Sequence, residues 1–137
     1  MSSIFHHQQL FMTATEQKPN APLYRELVKE EAETELTEAW DKFRFAQTLE
    51  NEAELADAIM DSIYVLAGMA NSLWGPATSA KLFDEVQRSN MSKVQVIETS
   101  DGVEYVVKRR EDGKIQNPVT FSKPDLIGIL RKNNLHS

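Results

Sequence analysis

The spacing of apolar and polar residues predicts a mainly helical chain that ends in a small β extension. Pro22 follows Asn20 at the start of the first long helix, where the missing N–H of proline does no harm. Gly75-Pro76 stops helical geometry after the second long helix, and Ser89-Asn90 stops it after the third. The predicted helices are approximately residues 3–12, 22–47, 52–73, 79–88 and 125–132.

The pattern changes to alternation after residue 93. Apolar residues at every second position flank Ser100-Asp101-Gly102, and this is typical of a β-hairpin with an Asp-Gly turn. The alternating residues are Val94, Val96, Val103, Tyr105 and Val107. A second turn is predicted at Asp112-Gly113. We therefore expect one domain, residues 1–137, with a helical core at 20–93 and a hairpin and short helix at 94–137.

Composition excludes several kinds of site. The 137 residues include no cysteine, so disulfides, thiolate zinc sites, iron–sulfur clusters and cysteine nucleophiles are excluded. Histidine occurs only near the termini, which disfavours a histidine-dependent di-iron or zinc site. The net charge of −6 disfavours nucleic-acid binding. The apolar stretch 63–70 is too short to span a membrane, and no secretory signal is evident, so we expect a cytoplasmic protein.

Negative charge is concentrated in the centre of the chain. Residues 26–61 contain twelve acidic and three basic side chains, whereas residues 81–137 contain ten basic and eight acidic ones. This asymmetry suits a site that holds metal cations on one element and an anionic ligand on another. A solvated acidic surface is the alternative explanation.

The carboxylates of the first long helix divide into two groups when the helix is projected at about 100° per residue. The predicted core stripe consists of Val28, Ala32, Leu36, Ala39, Trp40 and Phe43. Glu26, Glu30 and Glu33 fall on the opposite, solvated side. Glu31, Glu35 and Glu38 line the edge of the stripe, where like charges repel and lose solvation unless a cation compensates.

The second long helix repeats this arrangement. Its predicted core arc consists of Leu55, Ile59, Ile63, Leu66 and Ala70. Glu54, Asp57 and Asp61 form a separate acidic strip, and no Lys or Arg occurs between Asn51 and Trp74. The helix thus lacks the ion pairs that usually stabilise a solvated face. A divalent metal would supply the missing positive charge.

Two antiparallel helices with inward-facing carboxylates are a known way to build a metal site. Ligands that are all oxygen favour Mg²⁺ or Mn²⁺, and Mg²⁺ usually completes its shell with water and phosphate. The ligand implied is a nucleotide or another polyphosphate, and one carboxylate can activate the attacking water. Lys81 and the Ser89–Lys93 run suit the phosphates, although that run can also be an ordinary helix stop.

Three blocks of residues carry a resemblance to a known family. They are Glu30-Glu31…Glu35…Glu38, then Glu54-x-x-Asp57-Ala58-x-x-Asp61-x-x-Tyr64-Val65-x-x-Gly68-x-Ala70, then Phe83-x-x-Val86-x-x-Ser89-Asn90-Met91-Ser92-Lys93. Their order resembles the all-α nucleoside triphosphate pyrophosphohydrolases, the MazG-like and phosphoribosyl-ATP pyrophosphohydrolase-like group, and its short phage-type members in particular. The tail Lys108-Arg109-Arg110-Glu111-Asp112-Gly113-Lys114 with Pro124-Asp125-Leu126 is similar to the extension of those members. The resemblance covers about residues 20–130.

The resemblance implies a fold, a reaction and a set of residues. The fold is a MazG-like helical bundle completed by dimer or tetramer formation, and the reaction is hydrolysis of an NTP or dNTP to the monophosphate and pyrophosphate with Mg²⁺ or Mn²⁺. The implied catalytic residues are Glu31, Glu35, Glu54 and Asp57, with Glu38 and Asp61 completing the metal set. By position, Asn90 and Lys93 would contact the phosphates.

The register of the first acidic block is open. The family motif has a double Glu and a third Glu on one helix, and Glu30-Glu31 places Thr34 at the third position. Glu30-x-x-Glu33 and Glu35-x-x-Glu38 also fit the spacing. The helical projection favours Glu31, Glu35 and Glu38.

Base recognition and two alternative functions stay open. Trp40, Tyr64 and Trp74 are candidates for stacking on a base, although aromatic residues at helical spacing usually belong to the core. A preference for dGTP or GTP is implied only by the resemblance to the phage members of this family. The alternatives are a non-catalytic helical protein-interaction module, and a dUTP- or phosphoribosyl-ATP-type hydrolase that uses the same metal site.

Overall fold

The computed structural model describes residues 3–106, 111–113 and 121–133. The chain is mainly helical and forms two compact units, Met1–Ala80 and Lys81–Ser137. Its elements are α1 (Ile4–Ala14), α2 (Ala21–Val28), a π-helical segment (Lys29–Glu35), α3 (Leu36–Phe45), α4 (Leu49–Met91), β1 (Gln95–Thr99), β2 (Gly102–Val106) and α5 (Leu126–Lys132). Across the described ranges, each helix is too short or too polar to cross a lipid bilayer.

The first predicted long helix is present, but its middle is not α-helical. Asn20 caps its start, because Asn20 Oδ1 accepts a hydrogen bond from the Leu23 N–H at 3.1 Å. Helical structure then continues through the π-helical segment to Phe45. The i→i+5 hydrogen bonds of a π-helix turn the chain by less than the roughly 100° per residue of an α-helix. Residues after Glu35 are therefore rotated from the positions that a uniform α-helix predicts.

The two predicted helices on either side of Gly75-Pro76 form one helical element with an interruption. Gly75 has φ 78° and ψ 165°, and only glycine adopts this conformation readily. Pro76 has no N–H to continue the hydrogen-bond ladder. The predicted break is confirmed as a kink within α4. The start of α4, Leu49, lies three residues before the predicted Glu52.

A short connection of residues 46–48 joins α3 to α4. Thr48 Oγ1 accepts a hydrogen bond from the Asn51 N–H at 3.1 Å and so caps α4. The Asn51 side chain donates to the Ala46 carbonyl at 2.9 Å and to the Lys42 carbonyl at 3.3 Å. Asn51 thus ties the end of α3 to the start of α4, which places the C-terminal turn of α3 beside the first turns of α4.

A buried polar network fastens α1 to the rest of the first unit. Gln8 Nε2 donates to Tyr24 Oη at 2.9 Å, and Tyr24 Oη donates to Gln17 Oε1 at 2.8 Å. Asn71 Nδ2 donates to Gln8 Oε1 at 2.9 Å and to the Phe5 carbonyl at 2.8 Å. Because the core includes Gln8 and Asn71, α1 is held by specific polar contacts as well as by apolar burial.

The predicted core arc of α4 is wrong for most of its members within one copy of the chain, although Leu55 and Ala70 are half-buried. Of its five members, Ile59, Ile63 and Leu66 are exposed within one copy of the chain. The residues of α4 buried before its kink are small or polar: Ala58, Ser62, Ala67, Gly68 and Asn71. Short side chains let neighbouring helices approach closely, whereas larger apolar side chains of α4 stay exposed within one copy.

The core stripe of the first long helix is correct only in part. Val28 and Ala39 are buried, whereas Trp40 is 48% exposed. Tyr24, which the projection places outside the stripe, is 4% exposed and belongs to the core. The π-helical segment lies between Tyr24 and Trp40. Because it turns the chain by less per residue than an α-helix, the core-facing side of α3 is rotated relative to that of α2.

The predicted hairpin of the second unit is confirmed. Antiparallel β1 and β2 pair from Gln95↔Val106 to Thr99↔Gly102. The turn residues are Ser100 and Asp101, so Gly102 is the first residue of β2. The short last helix is also confirmed, since Asp125 Oδ1 accepts from the Gly128 N–H at 2.9 Å at the start of α5. Val107, Lys108–Arg110 and Lys114 lie outside the described residues.

We expect Gly68→Ala to destabilise the first unit. A Cβ at position 68 would overlap the ring of Tyr24 and lie 2.6 Å from Gln8 Nε2. Overpacking of this kind costs about 1–3 kcal/mol, and urea unfolding measures it. At a helical position with free space the same substitution would stabilise the protein by about 0.5–1 kcal/mol. A stabilised Gly68→Ala variant would therefore contradict the close contact with Tyr24.

Candidate functional site

A cavity of about 240 Å³ lies between α3 and the first turns of α4. Its lining residues are Glu35, Glu38, Ala39, Lys42, Glu54, Asp57 and Ala58. Ala39 and Ala58 are 7% and 6% exposed, and their small side chains leave room for the longer charged ones. The structure therefore brings together four of the predicted metal ligands, Glu35, Glu38, Glu54 and Asp57.

These four carboxylates are more accessible than the sequence suggests. The projection places Glu35 and Glu38 on a semi-buried edge, but both are exposed, as are Glu54 and Asp57. All four line the open cavity between α3 and α4. Water and small ligands can reach all four side chains.

Glu31 and Asp61 extend this acidic group farther along the helices. Glu31 is half-buried, and its Oε2 atom is buried without a hydrogen-bond partner. The hydrogen bond between the Glu31 and Glu35 side chains requires a proton on one of the two carboxyls. This bond, burial and the negative charges of Glu35, Asp61 and Glu30 raise the pKa of Glu31 from 4.5 to about 7.

The charges of Glu30 and Glu33 are solvated, as the projection predicts. Both residues are exposed, and Glu33 pairs with Arg25 at 3.3 Å across the helix surface. Neither lines the cavity. Of the first acidic block, Glu35 and Glu38 line the cavity, and the register that includes Glu31 stays a prediction.

The acidic side chains in and beside the cavity offer the oxygen ligands that a hard divalent cation prefers. Every acidic side chain of the group offers oxygen, and Glu31 has an oxygen that lacks a partner. Within residues 3–106, 111–113 and 121–133, no three His, Asp or Glu side chains are already arranged to hold a metal ion. Binding of such an ion would therefore require the exposed carboxylates to change rotamer.

Lys42 is a component of the cavity that sequence reasoning missed. Its Nζ lies 3.2 Å from Glu54 Oε2, so α3 supplies the positive charge that the acidic strip of α4 lacks. The signal was available, because Lys42 follows Glu35 by seven residues and Glu38 by four, which is the spacing of one helical face. The sequence of α4 alone does not show that Lys42 of the neighbouring helix supplies this positive charge.

The predicted phosphate ligands belong to the second unit. Lys81 Nζ donates to Asn133 Oδ1 at 3.1 Å, and Lys93 Nζ lies 5.4 Å from the centroid of the Phe121 ring in a cation–π contact. Asn90 is exposed. Phosphate binding by Lys81, Asn90 and Lys93 stays a prediction.

A second cavity, of about 390 Å³, lies in the second unit between the last turns of α4 and α5. It is lined by residues of both charges, which are Lys81, Asp84, Glu85, Arg88, Ile129, Lys132 and Asn133. Arg88 forms two bonds with the Glu85 carboxylate, at 2.7 and 2.8 Å. That pairing, with the Asp125 N–H, lowers the pKa of Glu85 from 4.5 to about 2. Arg88 is thus committed to an internal partner.

Two of the three aromatic candidates for base stacking pack against another aromatic ring of the first unit. Tyr64 packs edge-on against Phe11 with ring centroids 5.7 Å apart, and Trp40 packs against Phe43 at 6.2 Å. Trp74 is half-buried. None of the three is among the described residues that line the carboxylate cavity, and base stacking stays a prediction.

Comparison with known proteins adds no relative. No protein-family model matches the chain, and no curated protein matches its sequence. The resemblance to the all-α pyrophosphohydrolases thus depends on the motifs of this sequence alone.

We expect Glu31→Gln to stabilise the protein at pH 8 but not at pH 4.5. Between pH 4.5 and 7 the unfolded chain loses the Glu31 proton while the folded chain keeps it, so stability declines with rising pH. Glutamine keeps the hydrogen bond to Glu35 without this loss. We expect its melting temperature, measured with a chelator present, to exceed that of the wild type by about 2–5 °C at pH 8.

Glu30→Gln is the matched control, because Glu30 is the exposed neighbour of Glu31. Its effect should be nearly the same at both pH values. If Glu31→Gln shows no greater gain at pH 8 than at pH 4.5, the raised pKa of Glu31 is contradicted.

Proposed function

We propose that this chain is a metal-dependent nucleoside triphosphate pyrophosphohydrolase that converts a (d)NTP to the (d)NMP and pyrophosphate. The observation that carries the proposal is the cavity between α3 and α4, which Glu35, Glu38, Glu54 and Asp57 line. The motif order that resembles the all-α, MazG-like pyrophosphohydrolases supports the same reaction. A role in controlling the nucleotide pool, in the cytoplasm or the cytoplasm of a phage host, is part of this proposal.

The acidic group would hold Mg²⁺ or Mn²⁺. The residues proposed to hold it are Glu31, Glu35, Glu38, Glu54, Asp57 and Asp61. A divalent cation bound there supplies charge stabilisation to the transferring phosphate. Glu31, Glu35, Glu54 and Asp57 are the proposed catalytic residues, since a carboxylate of this group that is not a metal ligand can accept the proton of the attacking water.

Substrate recognition rests on residues outside the carboxylate cavity. Lys81, Asn90 and Lys93 are the proposed phosphate ligands, and Trp40, Tyr64 and Trp74 are the candidates for base stacking. A preference for dGTP or GTP is proposed from the family resemblance.

A homodimer or homotetramer is the proposed working form. Large apolar side chains on one side of α4, including Ile59, Ile63, Leu66 and Leu73, are exposed within a single copy. The buried apolar core of the first unit is small by comparison and includes three alanines, Ala39, Ala58 and Ala67. A second copy that packs on this face of α4 would remove the apolar surface from water.

We expect the wild-type protein to release pyrophosphate and a monophosphate from at least one of the eight common NTPs and dNTPs in the presence of Mn²⁺. Chromatography of the products identifies the bond that is cleaved and the preferred base. Release of inorganic phosphate, or cleavage of phosphoribosyl-ATP alone, would assign a different reaction to the same site. Absence of turnover together with absence of Mn²⁺-dependent thermal stabilisation would favour a non-catalytic interaction module.

Glu54→Gln and Asp57→Asn test whether this activity arises in the cavity. Each should lower turnover by about 100-fold or more while the protein remains folded. Glu50→Gln is the matched control, because Glu50 lies in the first turn of α4 but does not line the cavity. Wild-type turnover in either cavity variant would place the active site elsewhere.

We expect Ile63→Glu to shift the protein toward the monomer, because it places a charge in the exposed apolar face of α4. Sedimentation velocity measures the change in mass. Ala53→Glu is the control, since Ala53 is exposed on the same helix outside that apolar row. A wild-type protein that is monomeric at all concentrations would contradict the oligomer.

A further inference from the structure

The cavity between α3 and α4 contains one positive charge among its carboxylates. Lys42 projects from the last turn of α3, and its Nζ lies 3.2 Å from Glu54 Oε2. Arg44 lies two residues further along the same turn but is not among the residues that line the cavity. Of these two neighbouring cations, the one within the cavity is therefore Lys42.

The bond between Lys42 and Glu54 is easily exchanged. Their side chains are 61% and 54% exposed, so water screens the attraction. Exposed ion pairs of this kind contribute about 0–1 kcal/mol to stability. Glu54 is thus held by a partner that a stronger cation can replace.

Lys42 and a divalent cation compete for the same oxygen. Glu54 is one of the proposed metal ligands, and an ammonium on its Oε2 atom repels a divalent cation close by. When Glu54 turns to a metal ion, Lys42 loses its partner but remains at the cavity on a flexible four-carbon stem. A free lysine ammonium offers three donors and is a common phosphate ligand.

We propose that Lys42 is an exchangeable counter-ion, which occupies Glu54 until a divalent cation binds and then contacts the triphosphate of the substrate. This inference depends on the proposed function and adds a specific phosphate ligand to it. It assigns Lys42 two opposed effects, since the same ammonium weakens metal binding and strengthens nucleotide binding.

A purely structural role predicts something different. A cation in the last turn of a helix interacts favourably with the helix dipole, and Arg44 does this as well as Lys42. If that were the only role of Lys42, removal of either charge would change stability slightly and leave metal affinity unaltered.

The test compares Lys42→Met with Arg44→Met, which remove the same charge from one helical turn. Lys42→Met should tighten Mn²⁺ binding by about two- to fivefold in titration calorimetry without nucleotide. At saturating Mn²⁺ it should raise the KM for the nucleotide severalfold. Arg44→Met should leave both values at the wild-type level, and Lys42→Arg, which restores the charge, should return the Mn²⁺ affinity toward the wild type.

The outcomes separate this inference from the proposed function. If the wild type hydrolyses nucleotides but Lys42→Met and Arg44→Met bind Mn²⁺ equally, the role of Lys42 is overturned while the proposed function stands. If the wild type neither binds Mn²⁺ nor hydrolyses nucleotides, both are overturned. Lys42→Gln gives the same comparison should the methionine variant fail to fold.

Discussion

Repulsion among the carboxylates in and beside the cavity between α3 and α4 is the constraint on which this site depends. Two features relieve it in the first unit. The raised pKa of Glu31 favours its uncharged form below neutral pH, and Glu54 pairs with the ammonium of Lys42. Both are weak and reversible, because the proton is lost near neutral pH and the ion pair is exposed. A cation that binds these carboxylates more strongly than the Glu31 proton or the Lys42 ammonium can therefore replace either one.

Close packing of the first unit depends on short side chains. Ala39 and Ala58 are buried where they line the cavity between α3 and α4, and Gly68 lies against the ring of Tyr24. These contacts leave space for the charged side chains of the cavity on one side of α4. They also leave the large apolar residues of that helix exposed, which is the physical basis for proposing a second copy as their partner.

Local signals predicted most elements of this chain. Asn20 and Pro22 indicate a helix start, and Gly75-Pro76 indicates the kink. The Asp101-Gly102 pair indicates the hairpin and lies at the end of its two-residue turn. Each of these residues acts through its own backbone or the next few residues, so its effect on secondary structure can be predicted from the sequence. The π-helical segment was not predicted, because its charged residues have no distinguishing local pattern.

The sequence by itself determined that the chain is mainly helical, that its acidic residues fall into strips on two successive helices, that the first of these starts beside Asn20, and that the second is interrupted at Gly75-Pro76. Only the tertiary structure decided which strips meet. It brought Glu35, Glu38, Glu54 and Asp57 to one cavity with Lys42, and it buried small residues of α4 while large apolar ones stayed exposed. Such choices depend on the rotation and distance between neighbouring helices, and helical periodicity within one segment contains no information about either.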